Sequence, residues 1–236
     1  MIDRYLLKEK ALFFGVDLDE TALSRFDRYA EMLIETNKVM NLTAITEPDE
    51  VVIKHFADSL SVLKYVDIPQ GANVIDVGTG AGFPGVALLI ARPDIKLTLL
   101  DSLNKRLVFL DNVLKELDLT AKTVHLRAEE GGRDKSYREK YEFAFARAVA
   151  ALPVLSEYCL PFVSLGGEFI AMKASSADEE IKRSENALKT LGGEIYFNES
   201  FDLFGMGERS IIGVKKISQT PTVYPRASAK IASKPL

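Results

Sequence analysis

The sequence predicts an α/β fold: a doubly wound, mostly parallel seven-stranded sheet with an N-terminal helical extension. Three observations predict it. From Asn73 onward, short apolar strand-like runs alternate with helix-like runs, the pattern of a sheet covered on both faces. A glycine cluster follows the first of those strands at once. Residues 1–66 carry helical periodicity and little strand pattern.

In the extension, Leu23, Phe26, Ala30, Leu33 and Ile34 share one helix face, while Arg25, Asp27, Arg28, Glu31 and Glu35 lie elsewhere. Residues 37–41 read as a polar break and 42–48 as an irregular connection. Asp49 is suited to cap a helix through His55 and Phe56, with another predicted over 58–66. The turn-rich residues 67–71 mark a boundary, which divides the chain into a helical segment (1–70), a sheet domain (71–217) and a basic tail (218–236). Strands are predicted over 73–77, 96–101, 122–127, 143–147, 168–173, 194–201 and 210–216. Helices are predicted over 84–92, 105–117, 152–162 and 178–191, with a weaker helical pattern after Ala128. The last two strands have no helix between them and are expected to form an antiparallel hairpin at one edge of the sheet.

A chain of 236 residues with 47% hydrophobic content supplies the core of one large domain, or of a domain with an appendage. Its apolar runs fall far short of the ~20 residues of a membrane span. Charged residues at 3, 4, 8, 9 and 10 break any signal-peptide pattern. A soluble, cytoplasmic monomer with no membrane partner is expected. One cysteine and two histidines exclude an internal disulfide and argue against a metal. Net charge is −4, yet residues 209–236 hold six basic side chains and no acidic one. Such a segment is the footprint of a polyanion contact, the alternative being a solvated, loose terminus.

The run from Val74 to Gly85 is a strand, a tight turn and the start of a helix. Glycines at 78, 80 and 82 permit positive φ and close approach of a ligand to the backbone, and Pro84 suits a first helical turn. The turn therefore offers free N–H groups, most simply to a nucleotide. Gly80, Gly82 and Gly85 match a dinucleotide fingerprint, whereas Asp76, Gly78, Gly80 and Gly82 form a D-x-G-x-G-x-G run. The strand ends near Asp76, which favours the second register. An acid there repels a pyrophosphate but suits S-adenosyl-L-methionine, which carries an ammonium and a sulfonium and no phosphate. A purely structural turn is the alternative.

Further candidates follow from this choice. Asp101 ends the second strand, 23 positions after Gly78 and close to the ~20 expected of an acid that accepts ribose hydroxyls, although it is equally placed to cap a helix. Ala128 and Glu129, after the third strand, suit the adenine. Arg147, ending the fourth, is placed to clamp the methionine carboxylate or, failing that, a substrate phosphate. Phe83 packs against the cofactor or into the core. No Asn- or Asp-Pro-Pro-aromatic run follows the fourth strand, and Cys159 reads as a small buried residue in a helix rather than a nucleophile. A target with its own in-plane lone pair, such as guanine N7, needs neither a base nor a covalent intermediate, so alignment behind the sulfonium methyl suffices.

Several of these motifs together resemble one family. Asn41-Leu42-Thr43-Ala44-Ile45, Lys54-His55 with Asp58-Ser59-Leu60, residues 76–85, Asp101-Ser102 with Lys105-Arg106, Ala128-Glu129 and Arg147-Ala148 are similar to the bacterial 16S ribosomal RNA guanine-N7 methyltransferases, also called the glucose-inhibited division protein B family. The resemblance spans nearly the whole chain. It implies a class I, Rossmann-like S-adenosylmethionine-dependent methyltransferase that modifies one guanine, nucleotide 527, of 16S rRNA in the small ribosomal subunit. Carried over position by position, its cofactor contacts are Gly78, Phe83, Ala128, Glu129 and Arg147, with Asp101 fitting the ribose role. Tyr224-Pro225-Arg226 and Lys234-Pro235-Leu236 match the family's tail, while Ala229 and Ile231 stand where glycine and proline are usual. Lys105, Arg106, Lys173, Arg209 and the tail are candidate phosphate contacts. His55 and Asp58, three apart, either line the guanine side or brace the helical segment. Rival readings are a methyltransferase for a small molecule or a protein, and a nonenzymatic RNA-binding module of ribosome assembly.

Overall fold

The computed structural model describes residues 1–174 and 177–236. Among these residues one sheet has seven strands: β1 (Asn73–Val77), β2 (Lys96–Asp101), β3 (Lys122–His125), β4 (Tyr141–Arg147), β5 (Val163–Lys173), β6 (Gly193–Asp202) and β7 (Glu208–Lys216). Their order is β3-β2-β1-β4-β5-β7-β6. The first five are parallel, and β7 runs antiparallel to both β5 and β6, so the predicted class and the edge hairpin hold. Side-chain chemistry places β7 inside and β6 outside. Ile211, Ile212 and Val214 on β7 are buried, whereas β6 carries Glu194, Asn198 and Glu199 on a largely solvated strand, a safe composition for an edge. Because Lys173 pairs with Ser210, the β6–β7 turn and Arg209 come to the carboxyl ends of the parallel strands.

Alternation along the central strands divides the core. Val74, Leu97, Leu99 and Phe145 face Phe26, Tyr29, Leu33 and Phe56 of the extension. Ile75, Val77, Leu100 and Ala144 face Leu155, Phe162 and Phe169 on the other side. The helical extension therefore shares a core with the sheet, each large apolar side chain buried there contributing about 1.5–3 kcal/mol.

The extension differs from expectation in two places. The helix Glu20–Met40, capped by Asp19 accepting from the Ala22 N–H at 2.7 Å, runs through the predicted polar break. Asn37 is part of it because its side-chain amide serves the returning loop, donating to Thr43 O and accepting from Thr43 N, each at 2.9 Å. Beyond, the two helices expected around His55 are one. Pro48–Val51 passes through a π-helical turn, Val52–Ala57, into Asp58–Leu60 and closes in a 3₁₀ turn, Ser61–Lys64. Pro48 opens it, where a missing N–H costs nothing, and Glu47 rather than Asp49 holds the cap position. In the sheet domain β3 stops at His125, and the pattern after Ala128 is a single turn, Ala128–Gly131.

Tyr29 ties the extension to the glycine turn. Its buried hydroxyl, kept protonated because burial raises its pKa well above 10, donates to Ala81 O at 2.5 Å. Replacing Tyr29 by Phe leaves that carbonyl unsatisfied in the core, and urea unfolding should show a loss of about 1–3 kcal/mol; an unchanged midpoint would show that the bond contributes nothing.

Candidate active site

The glycine turn is held from the sheet and from below. The N–H groups of Gly78 and Thr79 both donate to Leu100 O, at 2.8 and 3.1 Å, so the turn is bonded to the end of β2. Gly78 sits at φ +75°, and a Cβ there would lie 2.8 Å from a Val149 methyl. Beneath the turn Asp76 is fully buried. Its Oδ2 accepts from Thr79 Oγ1 at 2.7 Å and from the Gly85 N–H at 2.9 Å, an approach that a Cβ on Gly85, 2.7 Å from the same oxygen, would block. Oδ1 has no hydrogen-bond partner among the described residues. Burial pushes this carboxyl up to about 6, against the lowering effect of those two bonds. Asp76 thus acts on the backbone of the turn and does not line the cleft above it.

That cleft, about 300 Å³, opens beyond the carboxyl ends of β1, β2 and β3. Its lining brings together Gly78, Asp101, Ala128 and Glu129, with Val77, Leu100, Leu126 and Val149 as apolar wall. Asp101 is 2% exposed. Its Oδ1 accepts from the Leu103 N–H at 2.8 Å, and its Oδ2 accepts from the Gly80 N–H at 2.9 Å and from Arg106 Nη1 at 3.3 Å. One carboxylate therefore fixes both the glycine turn and the entry to the helix Asn104–Glu116.

Phe83 and Arg147, the other two positions singled out in the sequence, lie together at a neighbouring joint. Arg147 donates to Asp58 Oδ2 at 2.8 Å, to Lys54 O at 3.2 Å and to His55 Nδ1 at 3.1 Å. Its guanidinium is 4.9 Å from the centre of the Phe83 ring, which stacks on His55 at 4.4 Å and 14°. Asp58 accepts a second arginine, Arg209 Nε, at 3.2 Å on Oδ1. Since His55 Nδ1 is an acceptor, Nε2 carries the proton and donates to Thr43 Oγ1 at 2.8 Å. Burial, with the Arg147 charge beside it, lowers the His55 pKa to about 3, so the ring is neutral at physiological pH. His55 and Asp58 are thus placed as braces.

Placement overturns much of the basic-tail reading. Lys216 is buried, donating to Leu160 O at 2.7 Å and to Thr220 Oγ1, and burial lowers its pKa to about 8. Lys215 pairs with Glu168 at 3.0 Å, Arg209 with Asp58, and Arg226 with Glu157 at 2.6 Å. Only Lys230 and Lys234 of that group are exposed, on or beside the short helix Ser228–Ser233. Of the other candidate phosphate contacts, Lys173 pairs with Glu180 at 2.7 Å and Arg106 with Asp101, while Lys105 is exposed. Counting charge along a sequence does not reveal the carboxylates that folding brings to it from other elements. The tail is also packed, with Ile231 buried, rather than loose. Cys159 is buried and its thiol raised well above the ordinary range, which makes it an inert core residue. Sequence reasoning missed Tyr29, Tyr158 and Ser228. Tyr29 reads as one more member of an apolar helix face, and the hydroxyls of the other two carry no local signal.

The family model described as "rRNA small subunit methyltransferase G" matches residues 22–211. The chain is 50% identical over 232 residues to the Ribosomal RNA small subunit methyltransferase G of Desulforamulus reducens, covering 98% of this chain and 97% of that one. It is 51% identical over 235 residues to the protein of the same name from Acetivibrio thermocellus, covering 99% and 96%. Among solved structures, an SAM-dependent O-methyltransferase from Thermotoga maritima superposes with a TM-score of 0.54 at 16% identity, covering 80% of this chain and 72% of that one, a likeness of fold.

Two measurements probe the joint. Asp58→Asn leaves Arg147 and Arg209 without their carboxylate, and denaturant unfolding should register a loss of about 3–5 kcal/mol. The pH dependence of His55 has the opposite sense to that of a salt-bridged histidine. Its folded pKa lies below the unfolded value, so its stabilisation is complete above about 6.5 and is lost as pH falls toward about 3, because the unfolded chain binds the proton first. Asp76, shifted upward, titrates with the reverse sign but is common to parent and variant. The stability margin of the parent over His55→Asn should therefore shrink by about 2 kcal/mol between pH 7 and pH 5, and a constant margin would contradict the buried neutral ring.

Proposed function

The chain belongs to the rRNA small subunit methyltransferase G family, whose model matches residues 22–211, and from that premise we propose that it transfers a methyl group from S-adenosyl-L-methionine to N7 of one guanine of 16S rRNA, nucleotide 527, in the small ribosomal subunit. Membership places it among methyltransferases. The observation that carries the finer reading is the cleft lined by Gly78, Asp101, Ala128 and Glu129 beyond the carboxyl ends of the sheet.

The residues present fit that cofactor. Gly78 leaves backbone accessible where a Cβ would fill space against Val149. Asp101 and Glu129 are acceptors suited to hydroxyl and amino groups, and Val77, Leu100, Leu126 and Val149 suit a flat apolar ring. An acid, Asp76, underlies the turn where a dinucleotide would need to seat its phosphates. In this reading Asp101 accepts a ribose hydroxyl on Oδ1, the one oxygen with a lone pair left by Gly80, Leu103 and Arg106, and Ala128 and Glu129 hold the adenine. Phe83 and Arg147 border the methionine side.

When bound, S-adenosylmethionine supplies an electrophilic methyl on a sulfonium. The protein need move no proton, because guanine N7 offers a lone pair in the plane of the base. What the chain contributes is a turn fixed in advance by Asp76, Tyr29 and Leu100, so that the two partners meet aligned and little ordering remains at the moment of reaction. The reaction takes place in the cytoplasm, on RNA, with a single copy of the chain.

Labelled methyl transfer to small subunits lacking the modification, followed by nucleoside analysis, tests the assignment. Label recovered as N7-methylguanosine is expected; cofactor binding with no label on subunits or on naked rRNA would overturn it. Gly78→Ala puts a side chain into a left-handed conformation that costs about 1–2 kcal/mol and crowds Val149, so S-adenosylhomocysteine affinity should fall about tenfold by calorimetry.

A further inference from the structure

Part of the cleft wall comes from the far end of the chain. Tyr158, on the helix Leu152–Cys159, and Ser228, opening the helix Ser228–Ser233, line the cleft together with Gly78, Asp101 and Glu129. Their hydroxyl oxygens are 3.3 Å apart. Either can donate to the other, which leaves the pair one O–H and spare lone pairs to offer inward.

The segment that carries Ser228 is anchored on three sides. Arg226 meets Glu157, whose side chain is fully buried, through Nε at 2.9 Å and Nη2 at 2.6 Å, and its backbone N–H donates to the same carboxylate at 2.7 Å. Arg133 Nε donates to Pro225 O at 2.6 Å, and Arg138 Nη1 to Tyr224 O at 2.9 Å. Ile231, three residues beyond Ser228, is buried. A buried carboxylate that takes three charge-assisted or backbone bonds holds its partner to one geometry, since any displacement leaves it unpaired. Glu157 is also the residue next to Tyr158, so the anchor and the cleft hydroxyl share one turn of one helix.

We propose that the carboxy-terminal segment is a structural part of the cofactor site, its Ser228 hydroxyl and that of Tyr158 contacting the nucleoside portion of S-adenosylmethionine, with Arg226 as the positioning residue that seats them. The proposal rests on the cleft being the S-adenosylmethionine site. It gives the basic tail a role different from phosphate contact. Arg226, the cation at its centre, is turned inward on Glu157, and the segment it fixes faces a neutral nucleoside.

Calorimetric titration of the full-length protein with S-adenosylhomocysteine and with 5′-methylthioadenosine, which lacks the amino-acid part, tests it. The double variant Tyr158→Phe/Ser228→Ala should bind both ligands about fivefold more weakly, the effect of a lost hydrogen bond or two at the nucleoside. Ser228→Thr keeps the hydroxyl and should bind like the parent, a rescue that a merely structural role would not produce. Ser228→Phe, which fills the wall with a ring, should weaken both ligands more than the double variant does. Arg226→Ala should lose affinity for both, and Arg226→Lys should recover part of it. Lys230→Ala, at an exposed position, should change neither. Parent-like affinity in the Ser228 and Tyr158 variants overturns the proposal, as does a loss seen with S-adenosylhomocysteine but not with methylthioadenosine. A parent chain that binds neither ligand would instead refute the reading of the cleft, and the proposal with it.

Discussion

The carboxylate of Asp58 is the point at which the separate parts of the molecule are held in register. It stands on the composite helix of the extension and accepts Arg147 from the end of β4 and Arg209 from the start of β7. All three side chains are largely buried, with 8–14% of the side-chain surface exposed. A charge cluster in that position contributes less to net stability than to uniqueness, because any other packing leaves a charge without its partner. Arg147, so fixed, presents a cation to the Phe83 ring and a donor to His55, and Phe83 begins the descent from the glycine turn into the helix Gly85–Ala91. The order of the proposed active site therefore depends on contacts made by residues far from it in sequence.

The glycine turn shows the same dependence at closer range. Gly78, Gly80 and Gly82 give it freedom to adopt positive φ, and that freedom would be an entropic liability without fixing bonds. Leu100 O, Asp101, Asp76 and the Tyr29 hydroxyl supply them. Three of these come from the sheet domain and one from the extension. The extension is consequently more than an appendage: it completes the floor of the turn and lies in one core with β1, β2 and β4.

Charge was legible only as composition. Six cations and no anion after residue 208 suggested an outward-facing basic tail. Four of the six are instead matched by Glu168, Glu139, Asp58 and Glu157, contributed by β5, the loop before β4, the extension and the helix Leu152–Cys159. The stretch is basic because its partners are elsewhere. The proposed nucleoside wall at Ser228 follows from that inward anchoring.

Strand and helix alternation, the glycine register beginning at Asp76, and an acid at the end of the second strand are local patterns, and the sequence by itself determined from them the fold class, the edge hairpin and four residues that meet in one cleft. Those features depend on the backbone period and on residues within a strand and its turn, which is information a linear chain carries. Tertiary structure alone decided that Asp76 faces the floor and not the ligand, that Arg147 and Phe83 belong to a joint with His55 and Asp58, that the helix does not break at Asn37, and that the carboxy-terminal segment walls the cleft. The joint and the carboxy-terminal wall are set by which buried donor meets which buried acceptor across 69 to 151 residues of chain, as Arg226 meets Glu157 and Arg209 meets Asp58, while Asp76 and Asn37 are settled by partners three to nine residues away. The cost of leaving such groups unpaired in the interior selects those contacts, and that cost exists only once the interior has formed.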